Sequence, residues 1–415
     1  MLNNPTEKNI ESVEACIVGG GLIGLTLAIA LSSSGIEVAL VDQVDLQDTI
    51  SPEFDGRATA ISNGSAQVIK GIGLWNLVSD QLSPINDIRV SDKNSLFFLH
   101  YDHKEIGDDP LGYIIENRLL RQSLLKKIKD QDLIKLFAPS KITEINKSLN
   151  NVKLKLADGR EIKTQLLLAC DGKNSSLRDF IGIPITNWNY NQSSIVFSVY
   201  HEISHNNLAH ELFLPGGPFA ILPMLDMNGR HRSAVVWTDS KNLIPSLLAL
   251  KEGEFISELY KRFGDLFGKL EIVGSKWTYP LSLSHAQRYI DHRFALVGDA
   301  AHAIHPIAGQ GLNMGIRDIA ALSEVIVDAR RLGADIGLDE TLSAYERWRR
   351  FDNLVLAVVT DTINKLFSNN IPPIRTARRF GLGAVNEIAP IRRVLMRHAM
   401  GTMGELPRLI RGESL

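Results

Sequence analysis

The chain reads Ala15-Cys16-Ile17-Val18-Gly19-Gly20-Gly21-Leu22-Ile23-Gly24-Leu25 near its start, and the reading of this stretch decides the fold. Ala15 to Val18 is a short apolar run of the kind buried on both faces of a parallel sheet. Gly19, Gly21 and Gly24 follow at the spacing of a phosphate-cradling turn, and Leu25, Ile29 and Leu31 line the helix it opens. In such a turn the first glycine permits the bend, the second lets a pyrophosphate approach the backbone, and the third lets helix pack on strand. Gly35 stops the helix, and Val38 to Asp42 reads as the second strand. Asp42 lies 18 residues beyond Gly24, placed to accept hydrogen bonds from an adenosine ribose. A βαβ unit of this kind predicts a dinucleotide, since a glycine-rich core turn would leave Asp42 without a role. NAD and FAD fit equally, because both carry the same ADP half.

The same stretch is uncharged from Ala15 to Ile36, 22 residues that would suffice to cross a bilayer. Glu7, Glu11 and Glu14 precede it, where a secretion signal carries Lys or Arg, and five glycines punctuate it. No targeting segment is expected. A length of 415 residues implies two or three domains, and 44% hydrophobic with 22% charged residues excludes wholesale disorder. A net charge of −2 argues against a dedicated nucleic-acid binder, which needs a basic surplus. Two cysteines, Cys16 and Cys170, exclude a disulfide scaffold and fit a reducing, cytoplasmic setting.

Two later clusters narrow the ligand. Gly298-Asp299-Ala300-Ala301-His302 follows the apolar run Phe294 to Val297, so Asp299 sits at the carboxyl end of a strand. Pro306-Ile307-Ala308-Gly309-Gln310-Gly311-Leu312-Asn313 then opens a helix whose apolar face includes Ile316, Ile319 and Val327. A helix N-terminus stabilises negative charge by about 0.3–2 kcal/mol, and a reduced flavin carries such charge at its N1–C2=O edge. This favours FAD. Asp171-Gly172-Lys173-Asn174-Ser175-Ser176-Leu177-Arg178, after the apolar run Leu166 to Cys170, is the third element.

The predicted fold class is α/β: a Rossmann-like FAD-binding domain with an inserted, mostly antiparallel β-sheet substrate domain and a helical C-terminal region. Residues 12–185 form the first part of the FAD-binding domain, 186–285 the β-rich substrate domain, 286–370 the second FAD-binding part, and 371–415 a C-terminal helical segment. Tyr113 to Lys129 reads as an amphipathic helix, residues 152–168 as a hairpin feeding back to the main sheet, and the chain from Gly311 onward as a long helical tail.

Taken together, the glycine fingerprint, Asp171-Gly172 and Gly298-Asp299 resemble the FAD-dependent aromatic hydroxylases of the para-hydroxybenzoate hydroxylase type. Asp55-Gly56-Arg57-Ala58-Thr59-Ala60, Glu116-Asn117-Arg118, Gly217-Pro218-Phe219-Ala220-Ile221-Leu222-Pro223 and His305-Pro306-Ile307-Ala308-Gly309-Gln310-Gly311-Leu312-Asn313 extend the likeness to the ubiquinone-biosynthesis hydroxylase family within that group. The resemblance runs from about Glu14 to Leu415. It implies a monooxygenase that uses NAD(P)H and O₂ to hydroxylate the ring of a polyprenylated phenol. It places Gly19, Gly21 and Gly24 at the pyrophosphate and Asp42 at the ribose. Arg57, Arg118 and Gln122 would line the flavin, Asp171 would serve flavin and nicotinamide handling, and Asp299 would bond the ribityl or pyrophosphate side. Pro306 belongs to the same block, and Gly309, Gln310, Gly311, Leu312 and Asn313 would offer backbone donors to the flavin's pyrimidine edge. No catalytic acid or base is named.

Other readings remain beside it: a flavin-dependent aromatic hydroxylase of another pathway, a flavin-dependent reductase or dehydrogenase that does without oxygen, and a non-catalytic flavin-binding subunit of a biosynthetic complex. His302-x-x-His305 lacks the acid or thiol that would complete a metal site, so no metal is expected. Residues 371–415 hold eight arginines, no lysine and three acids, with apolar residues interleaved. That segment reads either as helices packed on the FAD domain or as a peripheral contact with anionic lipid or a partner enzyme.

Overall fold

The computed structural model describes residues 10–92, 95, 97–304, 309–367, 381 and 383–415. Five parallel strands form its frame, in the spatial order Ile134–Phe137, Val38–Val41, Ile10–Val18, Glu161–Ala169 and Phe294–Leu296. The strand Val152–Leu156 pairs antiparallel with Glu161–Ala169, the hairpin expected over 152–168, and Ile142–Lys147, which the sequence did not announce, pairs antiparallel with Val152–Leu156. Cys16, Ile17 and Leu166 to Ala169 are buried on both faces, which is why these strands read as continuous apolar runs. The helix Leu22–Ser33 is apolar almost all round. It lies enclosed by the sheet and by the helices Asn117–Lys129 and Gln310–Arg331.

The registers put Phe137, Val41, Val18, Ala169 and Leu296 in one row. Gly19, Asp42, Asp171 and Asp299 therefore leave the sheet at the same carboxyl edge, where an open α/β sheet presents its ligand. Three motifs far apart in sequence become neighbours through strand register alone.

A second, eight-stranded sheet runs His302–Ala303, Leu270–Ala286, Ile185–His201, Arg230–Ser240, Gly217–Met227, Leu208–Leu214, Asp87–Asp92 and Phe98–Asp102. Pairing is antiparallel throughout, apart from Leu208–Leu214 beside Asp87–Asp92. One face packs on the helices Ile244–Leu248 and Glu252–Phe263 through Phe197, Trp237, Phe255 and Leu259. The two strands nearest one edge, 87–92 and 98–102, come from inside the 12–185 segment, so the sheet draws on more chain than 186–285.

Two helical expectations need correction. Tyr113 to Glu116 is not helix. It belongs to the strand Gly112–Glu116, which pairs with Ala58–Ser62 and Ser83–Ile85 in a third sheet, and the helix begins at Asn117. Tyr113, Ile114 and Ile115 are aromatic and β-branched, and a partner strand turned their preference toward extension. The tail from Gly311 is not continuous either: helices Gln310–Arg331, Asp339–Phe367 and Ala389–Met400 are separate. Residues 371–380 and 382 lie outside the described part. Among the described residues, no helix is long and apolar enough to cross a membrane.

Candidate active site

The fingerprint glycines differ in what surrounds them. Gly19 has φ +109°, and a Cβ there would lie 2.3 Å from the Cys170 carbonyl oxygen; one on Gly24 would lie 1.8 Å from that of Gly19. Around Gly21 nothing lies within 4 Å. Gly19 and Gly24 thus bring turn, helix and neighbouring strand together, whereas Gly21 offers bare backbone to open space. Gly21 caps the helix without any side-chain bond, so first-turn N–H groups stay available to a ligand. Asp42 accepts from Gly20 N through Oδ2 and from Val44 N at 2.8 Å through Oδ1, which fixes its carboxylate beside the turn with lone pairs to spare.

The other two loops are tied to each other. Asp171 Oδ2 accepts from Leu177 N at 3.2 Å, while its Oδ1 is buried without a partner among the described residues. Buried Arg178 donates from one nitrogen to Lys173 O and Ala300 O, both at 3.0 Å, stapling the loop after Asp171 to the loop of Asp299. Beneath the latter, fully buried Asp318 accepts from Gly298 N (3.1 Å), Arg349 Nε (2.9 Å) and Asn353 Nδ2 (3.1 Å), and pairs with His302 Nε2 at 2.5 Å. Burial opposes that carboxylate, but His302 and Arg349 outweigh it and hold Asp318 well below the usual carboxylate range. His302, read from sequence as half of a weak metal pair, is thus the partner of a buried acid; His305 lies outside the described residues. Among the described residues, no cluster of His, Cys, Asp and Glu is arranged to hold a metal.

Asp299 itself faces the cavity and makes no hydrogen bond with a described residue. Its enclosure raises the carboxyl's pKa, against the pull of His302, Arg57 and Lys173. Opposite, Gly309 caps the helix Gln310–Arg331 at φ +62° with no side-chain bond, and residues 309–313 all line the cavity. Asn313 has a second role that its motif did not reveal: it accepts from Ser62 N at 2.8 Å and donates to Ala60 O at 2.9 Å, holding the third sheet against this helix. Pro306 lies outside the described residues.

These parts enclose one cavity of about 960 Å³, at the upper end of the usual range for ligand sites. Arg57 lines it, bonded to Asp55 at 2.8 Å and stacked 4.7 Å over the Tyr279 ring. Burial opposes the Asp55 carboxylate too, but Arg57 and Asn117 hold it below its ordinary range. From the helix Asn117–Lys129, Asn117 and Arg121 reach the wall, one turn apart and both bonded to Asp55. Asn117 Oδ1 and Arg121 Nη1 are buried and unbonded among the described residues, as a polar ligand would require. Arg118 and Gln122, one position further round, are half-buried and outside the lining. Sequence reasoning missed Asp55, Arg121 and Tyr279 as site residues; the i, i+4 spacing of Asn117 and Arg121 was the available signal.

Beyond the loops the cavity runs along an apolar face of the second sheet, including Val196, Ala209, Phe213 and Ala220, with Glu211 among them. The far wall comes from Leu356 to Phe367 of one helix and Leu395 to Met400 of another. Val359, Leu366 and Leu395 line the cavity, and their helix neighbours Val358 and Val394 are exposed without lining it, so both wall helices also carry exposed apolar residues. The terminal helix is held by the Arg392–Glu105 pair at 2.8 Å and by fully buried Met396. Arg392 is therefore structural, whereas Arg393 and Arg397 are exposed.

Comparison with known proteins agrees with this geometry. Residues 12–351 match the model of an FAD binding domain family. The ubiquinone hydroxylase UbiL of Rhodospirillum rubrum is 46% identical over 405 residues, covering 97% of this chain and 93% of that protein. The 3-demethoxyubiquinol 3-hydroxylase of Escherichia coli is 32% identical over 403 residues, covering 97% of this chain and 100% of that one. Among solved structures, p-nitrophenol 4-monooxygenase PnpA of Pseudomonas putida shares the fold at TM-score 0.78 and 20% identity, covering 95% of this chain and all of that one. Three strand-end loops at one sheet edge, with two helix starts free of side-chain caps over one cavity, can take a dinucleotide such as FAD. The chain is an FAD-dependent monooxygenase and belongs to the ubiquinone-biosynthesis hydroxylase family.

Proposed function

We propose that this protein hydroxylates the aromatic ring of a polyprenylated phenol in ubiquinone biosynthesis, with NAD(P)H and O₂ as co-substrates. One observation carries the reading: a single cavity joins the dinucleotide loops to an apolar sheet face and is walled by two helices that also carry exposed apolar residues. A small polar phenol would not need the last part. A ring with a long hydrocarbon tail would.

FAD, when bound, supplies the redox and oxygen-transfer chemistry. The chain's own residues supply position and charge. Gly19, Gly21 and Gly24 seat the pyrophosphate on the helix start, Asp42 takes the ribose, and Asp299 takes the ribityl side. We assign Arg57 and Asp171 to flavin handling and give Arg118 and Gln122, which lie outside the cavity lining, no direct contact with the flavin. The free N–H groups of residues 310–313 stabilise negative charge at the flavin's pyrimidine edge. The apolar sheet face positions the substrate ring and excludes water.

The tail of the substrate would leave between the helices Asp339–Phe367 and Ala389–Met400. Their outer faces expose Phe351, Leu354, Val358, Ile391 and Val394, flanked by Arg350, Arg393 and Arg397. Such a surface suits contact with anionic lipid, where substrate is available. The test is turnover: purified protein with FAD, NAD(P)H and a short-chain prenylated phenol should consume O₂ in step with a product carrying one more oxygen atom. Flavin bleaching by NAD(P)H without O₂-dependent product would indicate a reductase, and no bleaching at all a binding subunit.

A further inference from the structure

One ionisable side chain interrupts an apolar row on the sheet face of the cavity. Across six strands the registers align Leu99, Val90, Glu211, Ala220, Val236 and Val196. All six line the cavity. Ala209 and Phe213, two residues to either side of Glu211, share its face by strand alternation. Glu211 makes no hydrogen bond or ion pair among the described residues.

The surrounding charges do not reach it. Arg89 pairs in register with His210, one residue away, and alternation aims both side chains at the opposite face, where Arg89 lies over Phe98 and His210 meets Phe267. His210 also borders the cavity, but burial lowers its pKa to about 4, so it brings no charge there. Arg57 and Arg121 are committed to Asp55. The helix Asp339–Phe367 brings only apolar residues and Thr360 to the wall, and the terminal helix brings His398 as its one titratable group. On the outer strand, Tyr101 lines the cavity with its phenol pushed by burial up to about 12, so it stays neutral. Burial alone pushes Glu211 up to about 8. An unpaired carboxyl in an apolar wall destabilises the fold, and groups kept at such a cost cluster where chemistry needs them.

We propose that Glu211 receives the hydroxyl proton of the phenolic substrate and holds the ring for hydroxylation, an assignment that rests on the function proposed above. The phenol O–H bond breaks, the proton passes to a Glu211 carboxylate oxygen, and the electron pair stays on the phenolic oxygen. That enriches the ring at the carbons to be oxygenated and consumes no oxidant. A carboxyl of this basicity is far better matched to a phenol, with pKa about 10, than an ordinary glutamate at about 4.3.

The test uses the FAD holoenzyme as wild type, Glu211→Gln and Glu211→Asp, with flavin absorbance per chain confirming that each variant is folded and loaded. The ligands are a short-chain prenylated phenol and its methyl ether. Wild-type kcat/KM should rise with pH and level off above about 8. In Glu211→Gln the rise should vanish and the rate fall by about 10²–10⁴-fold, the usual range for a lost proton-transfer group. Glu211→Asp should restore part of the rate with a displaced inflection. Wild-type rate and inflection in Glu211→Gln would overturn the assignment. A second arm needs no turnover: wild type should bind the phenol better than the ether, and Glu211→Gln should lose that preference. If the wild type hydroxylates no prenylated phenol, the proposed function fails on its own; a preference kept in Glu211→Gln overturns the Glu211 assignment independently.

Discussion

At the residue scale, the three fingerprint glycines make separable predictions. A valine at position 24 would drive its Cβ into the Gly19 carbonyl at 1.8 Å, against backbone that cannot yield, so Gly24→Val should fail to fold. The Cβ of Gly21→Val meets nothing within 4 Å, so the variant should fold, yet its side chain would occupy the space a pyrophosphate needs. Purified Gly21→Val should be a colourless protein with a wild-type circular dichroism spectrum; full flavin occupancy would contradict the role given to this turn. Asp299→Ala should also fold, since the carboxylate bonds to no described residue. The charged hydrogen bonds it would lose are worth about 1.5–3 kcal/mol, about tenfold to a hundredfold in FAD affinity. Titration of apoprotein with FAD checks this. These residues were readable in sequence because close backbone approach demands glycine and strand ends demand a purpose for an acid. Asp318 and Arg178 were not, because their function exists only after the loops around 171 and 299 come together. Nothing in a mid-helix Asp or an Arg in a short helix announces that.

Elements were legible where their pattern was self-contained. The βαβ unit needs only a strand buried on both faces, a turn and an apolar helix, all contiguous. Tyr113 to Glu116 was misread because its state depends on a partner strand more than fifty positions away in sequence, Ala58–Ser62. The strands 87–92 and 98–102 escaped notice for the same reason. Each is short and half-buried, and one pairs in parallel with residues 208–214. Asp318 belongs to this scale, since it locks two helices and the Gly298 loop together. Asp318→Asn takes the carboxylate from His302 and leaves Arg349 with Asp352 alone, and breaking such a buried pair costs about 3–5 kcal/mol. A marked drop in melting temperature should follow, alongside weaker flavin retention; an unchanged melting curve would mean the network is dispensable. The strand 208–214 carries a pH prediction. Because the folded Glu211 pKa is raised to about 8 from 4.5, its neutral form stabilises the fold fully below about 4.5, and that contribution is lost as pH rises to 8. The melting-temperature advantage of Glu211→Gln over wild type should therefore grow between those values and stay constant above. A constant advantage across the range would show that the carboxyl is not buried as described.

For the whole molecule, the dinucleotide frame and the substrate sheet are interleaved rather than strung in sequence, so that the cavity draws walls from every quarter of the chain. Composition could indicate a globular α/β protein of several parts, but not the cavity, whose walls meet only through long-range pairing. The tail shows the same limit. Eight arginines in residues 371–415 look alike in sequence. In the fold, Arg392 pairs with Glu105 and Arg408 with Glu324 and Asp328, while Arg393 and Arg397 are exposed beside the apolar helical surface. Arg393→Gln with Arg397→Gln should weaken cosedimentation with anionic vesicles at low salt while leaving bound FAD unchanged; identical sedimentation of both proteins at all salt concentrations would make this face structural only. The central claim is that one cavity holds flavin and a prenylated phenol together so that oxygen from O₂ enters the ring. It is tested most directly by turnover of the FAD-loaded protein under isotopically heavy O₂, with NAD(P)H and a short-chain prenylated phenol, and mass spectrometry of the product. The account predicts a ring-hydroxylated product carrying the heavy isotope. An unlabelled product, or NAD(P)H oxidised with the phenol recovered unchanged, would contradict it.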